Sequence, residues 1–187
     1  EEYEEDTVFT FLLSFQDNIF FSICNDVPII YTLSKADWMT LKYETTVHSL
    51  FLLPSIYEIS KVTVQTAGNT YAFDVSGEKS ETVTYNGSSI DKTAFSKFYQ
   101  LLIGASHDGN YVPDAQPQGD PVLTVTFDYR NDNNSDTLQF YDAGTRKLYV
   151  AMNGKIEFTM MSSYLDNVQE ACEQIINGET PDPDWKV

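Results

Sequence analysis

Basic side chains are scarce: 11 Lys and Arg stand against 28 Asp and Glu in 187 residues, a net charge of −17. So few cations would release few counterions from phosphate, and a polyanion repels a polyanion, which argues against a nucleic-acid partner. Docking on an anionic membrane leaflet is disfavoured for the same reason. Cysteine is rarer still, at two. Two thiols make neither a disulfide framework nor a multi-thiolate metal site. Cys24 and Cys172 both occupy apolar positions, where a free thiol packs as a small hydrophobe. A single bridge between them stays open beside that reading. Glycine numbers nine and does not cluster as a phosphate cradle does, and no G-x-S-x-G, Walker or G-x-G-x-x-G pattern occurs. No apolar run approaches the roughly 18 residues that span a bilayer, and the most apolar stretch, Ser49 to Leu53, stops at Pro54. The opening residues show neither an initiator Met nor a signal-peptide core. Glu1, Glu2, Glu4, Glu5 and Asp6 form an acidic, linker-like run instead. The expectation is the exported portion of a protein whose N-terminal signal or anchor is absent from this chain.

What the chain has is rings and alternation. Its 12 Phe, 12 Tyr and 2 Trp, with 42% hydrophobic residues, argue for a folded core rather than disorder. Phe9, Phe11, Leu13 and Phe15 alternate, as do Ile19, Phe21 and Ile23, then Ile29, Tyr31 and Leu33, which predicts three strands. Ser34, with Asp37 three positions on, reads as the cap of a helix carrying Trp38 and Leu41. A second group follows the same order. Val62 and Val64, then Tyr71, Phe73 and Val75, then Val83 and Tyr85 predict strands, with turns at Gly68-Asn69, Ser76-Gly77 and Asn86-Gly87. Asp91 is an N-cap candidate, and Phe95, Phe98, Tyr99 and Leu102 trace one face of a helix that Gly104 ends.

A polar connector rich in Gly and Pro, residues 104–121, then separates off a third group. Its strands are marked by Leu123, Val125 and Phe127, by Leu138 and Phe140, by Leu148, Val150 and Met152, and by Ile156, Phe158 and Met160. Ser163 and Asp166 suggest a capping box for a helix with Leu165, Val168, Cys172 and Ile175 on one face, stopped by Asn177-Gly178. Phe9 to Ser34 also lies over Thr137 to Ser162 without a gap, apolar position on apolar position and Asn25 on Asn153. These patterns predict an α+β fold of mainly antiparallel sheets, built from repeated units of a β-meander followed by one amphipathic helix. The expected units are residues 7–53, 54–112 and 113–178, with flexible acidic termini at 1–6 and 179–187.

Reactive groups are few. His48 and His107 are the only histidines, and neither has another ligand at metal-binding spacing. Ser106 and Asp108 flank His107, but neighbours along a loop do not make a nucleophile–base–orienter array in space. Asp132, Asn134 and Asp136 have the D-x-N-x-D spacing of a calcium loop, yet the sixth position is Thr137 instead of Gly and the twelfth is Ala143 instead of Glu. A solvated hairpin loop accounts for them. Most aromatic residues fall at strand or helix period; Tyr3, Tyr111 and Trp185 do not. The sequence therefore nominates no catalytic, cofactor-binding or metal-ligating residue.

Four segments carry a family resemblance. They are Tyr31 to Ser34 running into a helix, the entry strand Ile59 to Val64, Tyr85 to Asp91 before an aromatic helix, and Gly119 to Thr126 opening the last group. Together, over about residues 7–178, the chain resembles the bacterial domain-of-unknown-function family numbered 4340. The resemblance implies attachment at the cell envelope through an N-terminal membrane segment or lipid, and company with ABC-transporter or gliding-associated components. It implies no catalytic residue. The chain departs from the family pattern in lacking the anchor and in opening within a unit. The expected function is thus a non-enzymatic extracytoplasmic module, in the envelope or secreted, with an envelope or transporter protein as partner. Two alternatives are a hydrolase using paired carboxylates on glycans or peptides, and a weakly calcium-stabilised adhesion or ligand-binding module.

Overall fold

The computed structural model describes residues 11–16, 19–24, 31–33, 42–131 and 134–184, the first three stretches as backbone alone. The chain divides into two compact units, Glu1–Thr46 and Val47–Val187.

The first unit holds a three-stranded antiparallel sheet in the order β1 (Phe11–Gln16), β2 (Ile19–Cys24), β3 (Tyr31–Leu33), followed by a single helical turn, α1 (Tyr43–Thr46). The strands contain the predicted Phe11, Leu13, Phe15, Ile19, Phe21, Ile23, Tyr31 and Leu33, while Phe9 and Ile29 lie outside the described residues. The helix expected from Ser34, with Trp38 and Leu41, lies outside the described residues.

The second unit is an α+β fold with one eight-stranded antiparallel sheet. Its strands are β4 (Ile59–Thr66), β5 (Thr70–Ser76), β6 (Thr82–Tyr85), β7 (Ser88–Ile90), β8 (Leu123–Tyr129), β9 (Ser135–Asp142), β10 (Lys147–Met152) and β11 (Lys155–Met161). The spatial order is β11-β10-β9-β8-β4-β5-β6-β7. Helix α2 (Lys92–Ile103) follows β7, and α3 (Ser163–Ile176) follows β11. The second and third sequence groups thus share one sheet, joined at its middle by β4 and β8, with Val62 opposite Phe127 and Val64 opposite Val125.

Successive strand side chains point to opposite faces, so the alternating apolar residues gather on one face. Val62, Val64, Phe73, Val125, Phe127, Leu138, Phe140 and Val150 are all buried, in one cluster with the apolar sides of both helices. Rings lock the layers together: Phe98 lies 5.1 Å from Phe73, Tyr99 lies 5.7 Å from Phe127, and Tyr164 lies 5.3 Å from Phe140. Each such buried side chain contributes about 1.5–3 kcal/mol.

The helix ends test the capping signals. Asp91 caps α2 as expected, its carboxylate accepting from the Ala94 amide at 2.8 Å. Gly104 caps the other end in right-handed backbone, without the left-handed turn that glycine uniquely permits. The Ser163–Asp166 capping box does not form: Ser162 is the cap, and its side chain makes no capping bond. Its φ of −69° and ψ of −16° are already helical, which points the hydroxyl away from the free amides. The connector is not a bare link. Its residues 108–112 run beside β11, with the Asp108 amide on the Thr159 carbonyl and the Val112 amide on the Glu157 carbonyl. Beyond α3, Pro181 is buried while residues 177–180 are exposed. No helix among the described residues is long and apolar enough to cross a membrane.

Candidate functional site

Two corners of the second unit collect the polar residues that the sequence singled out. The first contains both histidines. The segment 48–50 meets the end of the connector: the His107 amide donates to the Ser49 carbonyl, and Leu50 bridges Ser106. The His107 ring stacks on Phe158 at 4.2 Å and meets Phe51 edge-on at 6.2 Å. Its Nδ1 accepts from the Gly109 amide at 3.1 Å. The neutral ring therefore carries its proton on Nε2, which donates to the His48 carbonyl at 3.2 Å. His48 likewise uses Nδ1 to accept from the Leu50 amide. Both nitrogens of His107 face backbone groups, so the ring is placed as a structural tie and not as a base toward Ser106.

Asp108 completes this corner. Its carboxylate accepts from the Thr159 hydroxyl at 2.8 Å, the Asn110 amide at 3.0 Å and the Lys147 ammonium. Burial pushes the carboxyl up, but the Lys147 bond, the Asn110 and Thr159 bonds and the Lys147 charge outweigh it and hold Asp108 below its ordinary value. Thr159, 2% exposed, passes the tie into β11.

The second corner is a depression of ≈ 390 Å³ lined by Glu58, Tyr129, Asn131, Asn134 and Asp136. It brings Asn134 and Asp136 of the calcium-like spacing together with three residues the sequence did not single out, Glu58, Tyr129 and Asn131. Asp132 lies outside the described residues. The Tyr129 hydroxyl donates to Asp136 Oδ2 at 2.6 Å, and Asn153 Nδ2 donates to Oδ1 at 2.8 Å. Burial, the bond to Asp136, and the charges of Asp136 and Glu58 push the Tyr129 hydroxyl up to about 12. Both carboxylate oxygens of Asp136 are thus engaged by neutral donors, which suits an anchored hairpin. Among the described residues, no group of three or more His, Cys, Asp or Glu side chains could hold a metal ion.

Beside this depression Arg130 acts as a clamp that no sequence pattern announced. Nε donates to the Ile59 carbonyl at 2.8 Å, one terminal nitrogen to the Gly77 carbonyl at 2.6 Å, and the other to Ser80 Oγ at 3.2 Å. Ser80 in turn donates to the Ile56 carbonyl.

The remaining candidates separate. Cys172 is a buried free thiol, pushed up to about 12 by burial and by the Glu173 charge. Tyr111 is 37% exposed, with its ring 5.3 Å from Phe158. Tyr3, Trp185 and the Cys24 side chain lie outside the described residues. No protein-family model, no curated protein and no solved structure matches this chain.

Proposed function

We propose that the chain is a non-enzymatic, extracytoplasmic envelope module that binds a partner protein, an envelope protein or a component of an ABC-type transport system. The observation that carries this reading is the fate of its candidate reactive groups. His107, Asp108 and Asp136 each spend their polar atoms on the fold's own bonds, to His48 and Gly109, to Lys147, Asn110 and Thr159, and to Tyr129 and Asn153. The same reading takes the architecture as repeated meander-and-helix units and keeps the likeness to the family numbered 4340. Two features support it. Four strands and a helix occur twice in succession in the second unit. In the first unit, β2 pairs through Phe20 with Phe15 and Leu33, and through Ser22 with Leu13 and Tyr31; β10 pairs through Leu148 with Asp142 and Met160, and through Val150 with Phe140 and Phe158. Each middle strand thus lies between its two sequence neighbours, with the pairing of β10 displaced by one residue from that of β2 under the gap-free overlay.

Affinity-tagged protein, crosslinked in intact cells of the native host and purified from the envelope fraction, is expected to bring down a transport or envelope protein. Recovery of the protein from the cytosol, or of no envelope partner, refutes the reading.

A further inference from the structure

The sheet of the second unit has two edges, and they are finished differently. Beyond β11, residues 108–112 supply a bonded neighbour: Asp108 N–H to the Thr159 carbonyl at 3.1 Å, Thr159 N–H to the Asn110 carbonyl at 3.2 Å, and Val112 N–H to the Glu157 carbonyl at 2.7 Å. At the opposite edge β7 pairs with β6, and among the described residues no strand lies beyond it. The two-residue loop between them has Asn86 at φ 47° and Gly87 at φ 78°, the left-handed pair of a type I′ hairpin. Such a loop makes Tyr85 and Ser88 a hydrogen-bonded pair. Alternation then makes Val83 and Ile90 another, and turns the N–H and C=O of Ser89 away from β6. Alongside runs a depression of ≈ 370 Å³ with a mixed lining, Ile90 and Ile176 on its apolar side and Asn86, Ser88 and Asp91 among its polar groups. Ile176, on the last turn of α3, is 37% exposed, unlike the buried Ile175 beside it.

An open strand edge beside a slot with an apolar side is the geometry of strand addition, in which main-chain bonds give affinity and the slot selects a side chain. We propose that the β7 edge receives an extended segment of a partner protein as a further antiparallel strand. Ser89 exchanges both backbone bonds with it, and one apolar side chain enters the slot against Ile90 and Ile176. The net charge of −17 and the Asp91 carboxylate in the slot's lining select a segment whose flanking residues are Lys or Arg. This deepens the partner-binding reading above and rests on it for biological meaning.

The test uses the full chain, isotope-labelled, and a capped probe peptide, Lys-Val-Lys-Ile-Lys-Val-Lys. Saturable shifts are expected at the amides of Ser89, Asp91 and Ile176. Ile176→Ser, a neutral change at a partly exposed site, is expected to weaken binding about tenfold without lowering the melting temperature. Ser89→Pro removes the outward N–H and is expected to do the same. The peptide with Glu in place of Lys is expected not to bind. Unmoved amides from Ser89 to Asp91 overturn the proposal. So does equal binding by the peptide methylated at every backbone nitrogen, which reports charge attraction alone, and so does unchanged affinity in Ile176→Ser. Because peptide binding is indifferent to compartment, its failure and the failure of the envelope crosslinking experiment are separate results.

Discussion

The Tyr164 hydroxyl donates to the Leu102 carbonyl at 2.8 Å, tying α3 to the last turn of α2 at a point where Tyr164 is fully buried. A helix leaves its final carbonyls without intrahelical donors, so this one bond satisfies two groups that water cannot reach. Tyr164→Phe keeps the ring against Phe140 but strands the Leu102 carbonyl. The expected cost is about 1–2 kcal/mol, read as a lower urea midpoint with unchanged slope. A midpoint equal to that of the native chain would show that the bond contributes nothing net.

Stability should fall on the alkaline side. Burial raises Tyr164 above the ordinary 10.0, burial with the charges of Tyr129 and Glu58 raises Tyr99, and burial with the Glu173 charge raises the Cys172 thiol from 9.0 to about 12. Above those ordinary values the unfolded chain releases protons that the folded chain retains, so the unfolded state binds fewer protons and the free energy of unfolding drops as pH rises. Urea midpoints should hold level to about pH 9 and then decline, with the Cys172 share entering first. Cys172→Ala should flatten that first part of the decline. A midpoint constant to about pH 11 contradicts the expectation.

The strands that alternation marks, such as Tyr71-Phe73-Val75 and Leu123-Val125-Phe127, are strands because one face of each is buried under helices. That cause is written locally, as is the Asp91 cap. β7 was not legible: Ser88, Ser89 and Ile90 contain no apolar alternation, and only the Asn86-Gly87 turn places them beside β6. Nor was the β4–β8 pairing, because strands separated by a helix and a long connector leave no local trace of their adjacency. Of the candidate site residues, the sequence picked out His48, His107 and Asp108 for their chemistry. It could not show that backbone groups occupy the two rings, or that Thr159, Lys147 and the Asn110 amide occupy the carboxylate. Arg130 went unnoticed for a related reason: its acceptors are the carbonyls of Ile59 and Gly77 and the Ser80 hydroxyl, none of which has a sequence signature.

Arg130→Ala should be among the more damaging single changes away from the apolar core. It frees two carbonyls and the Ser80 hydroxyl, and Ser80 is held at φ 53°, a left-handed conformation that serine adopts only when its surroundings impose it. The expected loss is about 2–3 kcal/mol, with amide exchange fastest to rise at Gly77 to Glu81. Arg130→Lys should recover little, because an ammonium cannot span three acceptors set out for a planar fork. Full recovery by lysine would reduce the clamp to its charge.

Calcium should leave the protein unchanged. Asp136 already accepts from Tyr129 and Asn153, and the hairpin has Thr137 where a calcium loop turns on glycine. Melting temperatures with millimolar calcium and with a chelator should coincide. A rise with calcium that Asp136→Asn abolishes would revive the adhesion-module alternative.

Acid should loosen the connector from β11 before the core melts. The Asp108 carboxyl sits below its ordinary value of 3.8, because the bonds from Lys147, Asn110 and Thr159 outweigh the burial that pushes it up. A carboxyl depressed in the folded state gives stability that is present above the ordinary value and disappears as pH falls through the folded one. Hydrogen exchange at Asn110 and Val112, corrected for the slower intrinsic exchange of amides in acid, should therefore accelerate as pH falls below 3.8, while the amides of β8 stay protected. Asp108→Asn should produce the same local acceleration at neutral pH and remove most of its acid dependence. Lys147→Met should act in the same direction but more weakly, since the Lys147 side chain is 38% exposed and solvent screens its charge. If exchange at Val112 stays slow in Asp108→Asn, the edge is held by its backbone pairing to β11 and not by the carboxylate.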